Sequence, residues 1–100
     1  MLDLKQLKYF IVCAETGSVS EAAKLLYTTQ PSVSKAIKAL EEEMGIVLFE
    51  RMPRGIALTV KGREAYRYAC RIINDSRILE EMSHGNMAKY LRISLNPSSW

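Results

Sequence analysis

The stretch Thr28-Thr29-Gln30-Pro31-Ser32-Val33-Ser34-Lys35 gathers short polar and basic side chains in one place, and Lys38 follows three residues later. Gln30 carries a donor and an acceptor that together match the edge of adenine; a lysine reaches guanine O6 and N7 or a phosphate. Thr28 and Thr29 add hydroxyls. Arg54 lies in Met52-Pro53-Arg54-Gly55, a turn-forming sequence. This is the chemistry of reading base edges and neutralising phosphates. Bond-making chemistry has no equivalent set. The single histidine, His84, sits beside Gly85 without spaced Cys, Asp or Glu partners and reads as a solvated helix end. Ser34 has no base in its pattern, and there is no glycine-rich phosphate loop. Cys13 and Cys70 lie far apart, form no metal-ligand spacing and read as reduced thiols. No catalytic residue, metal or cofactor is therefore expected.

A Ser/Lys face on a helix is ordinarily just solvated, so the case depends on the elements that hold it. Leu4, Leu7, Phe10, Ile11 and Ala14 recur at helical spacing and predict a first helix from about Asp3, a plausible N-cap, to Thr16, with Gly17 as its stop. Ser18-Val19-Ser20-Glu21 has the capping-box form and opens a second helix to about Leu26, packed through Ala22, Ala23, Leu25 and Leu26. After a break at Tyr27–Thr29, a third helix runs from Gln30 to about Met44. Thr29 caps it, and Pro31 is tolerated in its first turn. At about 100° per residue, Val33, Ile37, Leu40 and Met44 share one face and Pro31, Ser34, Lys35, Lys38 and Glu42 the opposite one. The run Glu41-Glu42-Glu43 reads as solvated, which requires that any nucleic acid meet the amino-terminal half of this helix.

Two extended pieces follow, Ile46–Arg51 and Ile56–Thr59, joined by Met52–Gly55, where Pro second and Gly fourth suit a type I turn. They predict a β-hairpin with a basic tip. Helical period returns from Thr59 to about His84, roughly 25 residues or about 37 Å. Ala65, Ala69, Ile72, Ser76 and Leu79 form a seam flanked by Tyr66, Cys70 and Ile73. Gly85-Asn86 stops the helix, and Tyr90–Leu95 alternates as a strand would.

Three helices and a hairpin make a mainly α, winged helix-turn-helix plan, in which a helix with a small polar face enters the major groove, about 12 Å wide. The chain has 100 residues and a formal net charge of +3. Residues 1–60 hold seven bases and seven acids, so the whole excess lies in residues 61–100. Composition thus permits a nucleic-acid partner, but only placement argues for one. The longest apolar run, Tyr9–Ala14, is too short to span a bilayer, and the amino terminus lacks the form of a signal peptide, so no membrane partner is expected. A winged helix that contacts only protein is the competing reading; it predicts no salt-sensitive binding to duplex DNA.

At this point the sequence resembles the amino-terminal domain of LysR-type transcriptional regulators. The resemblance rests on AETGSVSEAA, TQPSVSKAIKALEEEMG, LFER and RGIALTVKG in that order, over about residues 2–63, and extends through YLRISL to about residue 95. It implies a bacterial, cytoplasmic protein at the nucleoid that binds an interrupted palindrome as a dimer, or as a tetramer in a full-length protein, and allows RNA polymerase as a partner. Residues 1–60 become the DNA-binding domain, 61–86 a linker and dimerisation helix, and 87–100 the first strand of an effector domain otherwise absent, so that the sequence reads as a fragment. A small-molecule effector would bind that absent domain. By motif, Gln30, Pro31, Ser34 and Lys35 face the groove, while Thr28, Thr29, Lys38 and Thr59 touch the backbone. Arg54 is the wing contact, and Ala65, Ala69, Ile72, Ile73 and Leu79 carry dimerisation. Lys35 stands where arginine is common and lacks arginine's bidentate fork. Val19 stands where phenylalanine is frequent, which should thin the core there.

Overall fold

The computed structural model describes residues 2–83. The expected features at His84, Gly85-Asn86 and Tyr90–Leu95 lie outside the described residues. In order, the chain forms α1 (Leu4–Thr16), α2 (Val19–Leu25), α3 (Gln30–Met44), β1 (Phe49–Met52), β2 (Gly55–Leu58) and α4 (Val60–Glu81).

Local capping explains where the helices start. Asp3 Oδ1 accepts from the amides of Lys5 (2.7 Å) and Gln6 (3.4 Å). Thr29 Oγ1 accepts from Ser32 N–H at 3.3 Å, and Thr59 Oγ1 from Gly62 N–H at 2.9 Å. Each removes an orphan amide from a first turn. The capping box of α2 forms only by half. Ser18 Oγ accepts from Glu21 N–H at 3.1 Å, but the Glu21 carboxylate turns to Lys24 Nζ at 3.7 Å. Thr16 Oγ1 accepts from Ser18 N–H in its place, at 3.4 Å.

The core sits where α1, α2, α3 and α4 meet. Leu7, Phe10, Cys13, Ala22, Ala23, Val33, Ile37, Leu40, Leu48 and Ala69 are buried in it. Phe10 packs edge-on against Phe49 (centroids 5.5 Å apart) and Tyr66 (6.4 Å), joining α1 to the hairpin and to α4. Burial pushes the Cys13 thiol up to about 11. Leu25 does not pack as expected; it is 62% exposed. Ala22 and Ala23 supply the close approach instead, and α2 ends one residue before Leu26, which packs against the core. Val19 packs there too, at the edge of the groove between α3 and the hairpin.

β1 is shorter than the sequence predicts, β2 keeps its expected four residues but lies one position earlier, and the two pair antiparallel from Phe49↔Leu58 to Met52↔Gly55. Pro53 and Arg54 both keep negative φ, which excludes the type I′, II and II′ turns, and Gly55 follows at φ +105°. These signs agree with the expected type I turn, closed by a glycine at positive φ. Two backbone bonds tie the hairpin to the rest of the domain. Thr59 N–H donates to the Leu48 carbonyl at 3.0 Å as α4 begins, and Ile56 N–H donates to the Gly17 carbonyl at 3.0 Å.

Glu41 corrects the expectation of a solvated acidic run. It is half-buried, and its Oε2 accepts from the amides of Leu48 (2.8 Å) and Phe49 (3.5 Å). A carboxylate at the end of α3 thereby latches the root of the hairpin. Glu41→Ala strands the amide of buried Leu48 and is expected to lower stability by about 1–3 kcal/mol in urea denaturation. Glu41→Gln, which keeps an acceptor oxygen, should lose less.

Candidate nucleic-acid interface

The solvent face of α3 follows from its buried one. Val33, Ile37 and Leu40 turn into the core, which leaves Gln30, Pro31, Ser34, Lys35 and Lys38 exposed. Met44, expected on the apolar face, reaches the surface at its carboxyl-terminal end and lines an apolar groove with Leu2, Ile46 and Tyr68. The amino-terminal half of α3 presents no side chain bulkier than lysine. In its first turn Pro31 has no amide hydrogen and Ser32 N–H is capped by Thr29, which leaves the Gln30 amide and the positive end of the helix dipole toward a nearby anion.

Two grooves flank this helix. On one side, Ser34 and Lys38 face Glu50 and Arg51 of β1 across a floor that includes Val19 and Ile37. On the other, Ser32 and Lys35 face Lys5, Gln6 and Tyr9 of α1, with Thr28 at one end. Arg54 sits apart from both, exposed at the hairpin tip.

The remaining residues singled out from sequence divide. Thr28 is half-buried beside the second groove. Thr29 is exposed, but its hydroxyl is engaged within the chain, donating to Ser32 Oγ at 2.9 Å. Thr59 lies away from α3 and donates to the Val47 carbonyl at 2.6 Å while capping α4. Both hydroxyls therefore hold structure. The expected seam on α4 also splits. Ala69 is 2% exposed and packs, with Ala65 and Ile73, into the chain's own core against α1. Ile72 and Leu79 stay exposed, Leu79 at 67%. The period of an apolar stripe does not say which surface covers it. Near the seam, Tyr66 Oη donates to Glu15 Oε2 at 3.1 Å. Its hydroxyl is pushed up to about 12, chiefly by a hydrogen bond with Cys70, then by burial and by Glu15.

Sequence reasoning missed three positions. Glu41 is the hairpin latch described above. Lys5 carries no local signal in the sequence, yet it lines the groove opposite Lys35. Tyr27 takes a left-handed conformation (φ 54°) at 96% exposure in the turn between α2 and α3. An aromatic residue gives no local signal for that conformation, which glycine or asparagine normally supplies.

Among the described residues no group of three potential metal ligands occurs, and no helix is long and apolar enough to cross a membrane. Residues 4–63 match the family model described as "Bacterial regulatory helix-turn-helix protein, lysR family". The chain is 40% identical over 77 residues to the HTH-type transcriptional regulator ClcR of Pseudomonas putida, covering 77% of this chain and 26% of that protein. It is 48% identical over 73 residues to an uncharacterized HTH-type transcriptional regulator in the ibpB-leuC intergenic region of Azotobacter vinelandii, covering 73% of this chain and 51% of the relative. It thus spans about a quarter to a half of these two relatives. Among solved structures it resembles the CbnR_DBD–DNA complex, with a TM-score of 0.80 and 38% identity over 86% of this chain and 99% of that one. The BenM_DBD/catB site 1 DNA complex is similar, with a TM-score of 0.80 and 34% identity over 88% of this chain and 94% of that one.

Proposed function

Because the chain belongs to the LysR family of bacterial regulatory helix-turn-helix proteins, we propose that it binds double-stranded DNA sequence-specifically as a transcription regulator, with α3 in the major groove and the hairpin near the minor groove. The observation that carries this reading is the exposed, unbulky amino-terminal face of α3 above a wholly apolar buried face. Gln30, Pro31, Ser34 and Lys35 read base edges, Lys38 and Thr28 hold phosphates, and Arg54 addresses the minor groove. Thr29 and Thr59 contribute through the turns they cap, since their hydroxyls are already engaged. DNA complexes of CbnR_DBD and BenM_DBD, similar in fold and sequence, support the reading.

We assign residues 1–60 to DNA binding and 61–86 to a linker helix through which two copies associate on a dyad site, Ile72 and Leu79 meeting the partner while Ala65, Ala69 and Ile73 anchor the helix. A stretch from residue 87 would open an effector domain, where any small-molecule effector acts; the DNA-contacting residues need no cofactor and perform no catalysis. The protein would work in the cytoplasm at the nucleoid, with RNA polymerase as a partner on the promoter.

The test is a fluorescence titration with duplexes enriched from a random pool. Affinity should fall steeply as salt rises. Lys38→Ala should weaken binding to all duplexes alike, and Gln30→Ala should relax preference at one base by about 1–3 kcal/mol. Salt-insensitive or absent binding would return the protein-only winged helix as the better reading. Uniform loss from both changes would remove the base-reading role of Gln30.

A further inference from the structure

We propose that Lys5, at the start of α1, is a second phosphate anchor that grips the DNA strand on the side of α3 opposite the wing. The inference rests on the DNA-binding reading above and adds a residue to it. A helix lying in the major groove has one sugar-phosphate strand along each flank, because the groove is about as wide as the helix it admits. On one flank of α3 stands the hairpin, with Lys38 and Arg51 at its groove. The other flank is bordered by α1, whose exposed Lys5 shares a groove with Ser32, Lys35 and Thr28. The cation lies 5.7 Å from the Tyr9 ring centroid, so the side chain rests against a half-buried aromatic face beside the groove. Asp3 also lines this groove, which sets two lysines against one carboxylate. Its Oδ1 is turned back onto the amides of Lys5 and Gln6 as the cap of α1. The groove therefore carries Lys5 on its α1 wall for a phosphate, opposite Lys35 of the base-reading face, with the hydroxyl residues Ser32 and Thr28 also lining it. A phosphodiester is the ligand that fits, and two strands each need such a hold if α3 is to keep its register.

The test compares the whole chain with Lys5→Ala and Lys5→Arg on the selected duplex and on a random-sequence duplex, over a range of salt. Lys5→Ala should weaken both duplexes by the same factor, roughly three- to tenfold at low salt, and should reduce the slope of log affinity against log salt by about 1. Lys5→Arg should restore the slope. Unchanged thermal melting of both variants separates this from a folding defect. An unchanged slope in Lys5→Ala, while Lys38→Ala lowers it, overturns the assignment of Lys5 alone. A loss confined to the selected duplex also overturns it, since that is the signature of base reading. Absence of salt-sensitive binding by the unaltered chain overturns the DNA-binding reading and this assignment with it.

Discussion

Phe10→Ala is expected to lower folding stability by about 3–5 kcal/mol, a large share of the total for a domain of this size. Phe10 is 1% exposed and meets Phe49 at the root of the hairpin and Tyr66 on α4, both edge-on. Deleting the ring removes the apolar contact and leaves a cavity where three elements converge, none of which can close on it without moving the others. α1 is held at both ends, by the Asp3 cap and by Gly17, whose carbonyl accepts from Ile56 of the hairpin. Collapse into the void is therefore resisted and the loss should fall toward the upper part of the range. Urea denaturation followed by circular dichroism measures it. Lys24→Ala, which breaks only an exposed ion pair at 3.7 Å, is the control and should stay within about 0.5 kcal/mol. A Phe10→Ala loss under about 1 kcal/mol would mean that the four-element core is not the unit that holds the wing in place.

Much of this fold is legible in sequence because its signals are local. The caps at Asp3, Ser18 and Thr29, the stops at Gly17 and Gly45, and the alternation of buried and exposed positions on α3 are all set by neighbours within a few residues. The reading face of α3 follows from the same periodicity: once Val33, Ile37 and Leu40 are known to be buried, the face carrying Pro31, Ser34, Lys35 and Lys38 is fixed by geometry. What escaped depends on contacts across the fold. Glu41 looks like part of a solvated acidic run until the hairpin root is brought back over it, seven residues on. Ala69 looks like part of an intermolecular seam because a helical stripe is the same whether its own domain or a partner covers it. Thr59 is a DNA-backbone contact by resemblance, but its hydroxyl donates to the Val47 carbonyl and ties α4 to the hairpin root. Lys5 and Lys35 stand thirty positions apart in the sequence, and only the packing of α1 beside α3 makes them the walls of one groove.

The second large effect is expected at Gly62, in the first turn of α4. Gly62 is buried, and a Cβ built there would overlap the Leu48 carbonyl oxygen and lie 3.2 Å from Leu58 Cδ2. Leucine can turn its methyl aside, but the carbonyl cannot retreat. It already accepts from Thr59 N–H at 3.0 Å, and the amide of the same residue is held by Glu41. Alanine would gain about 1 kcal/mol of helix propensity over glycine, while an overpacked contact against fixed backbone costs about 1–3 kcal/mol or more. The overlap involves backbone and should win. Gly62→Ala is expected to lose about 2 kcal/mol and Gly62→Val more, read as a fall in melting temperature of roughly 4–8 °C for each kcal/mol. Gly45→Ala separates this from simple backbone strain. Gly45 sits at φ +69° with nothing near its missing Cβ, so its replacement carries only the left-handed penalty of about 1–2 kcal/mol. The functional consequence differs too. α4 leaves the hairpin root at Gly62, so displacing it changes the angle at which α4 departs from the rest of the domain. In the dyad binding proposed above, that angle would set the separation of the two copies of α3. Gly62→Ala should therefore weaken binding to a full dyad more than to an isolated half-site, whereas Gly45→Ala should leave the ratio of the two affinities unchanged. Equal weakening of both duplexes by Gly62→Ala would show that the junction holds the fold together without setting the spacing of the dimer.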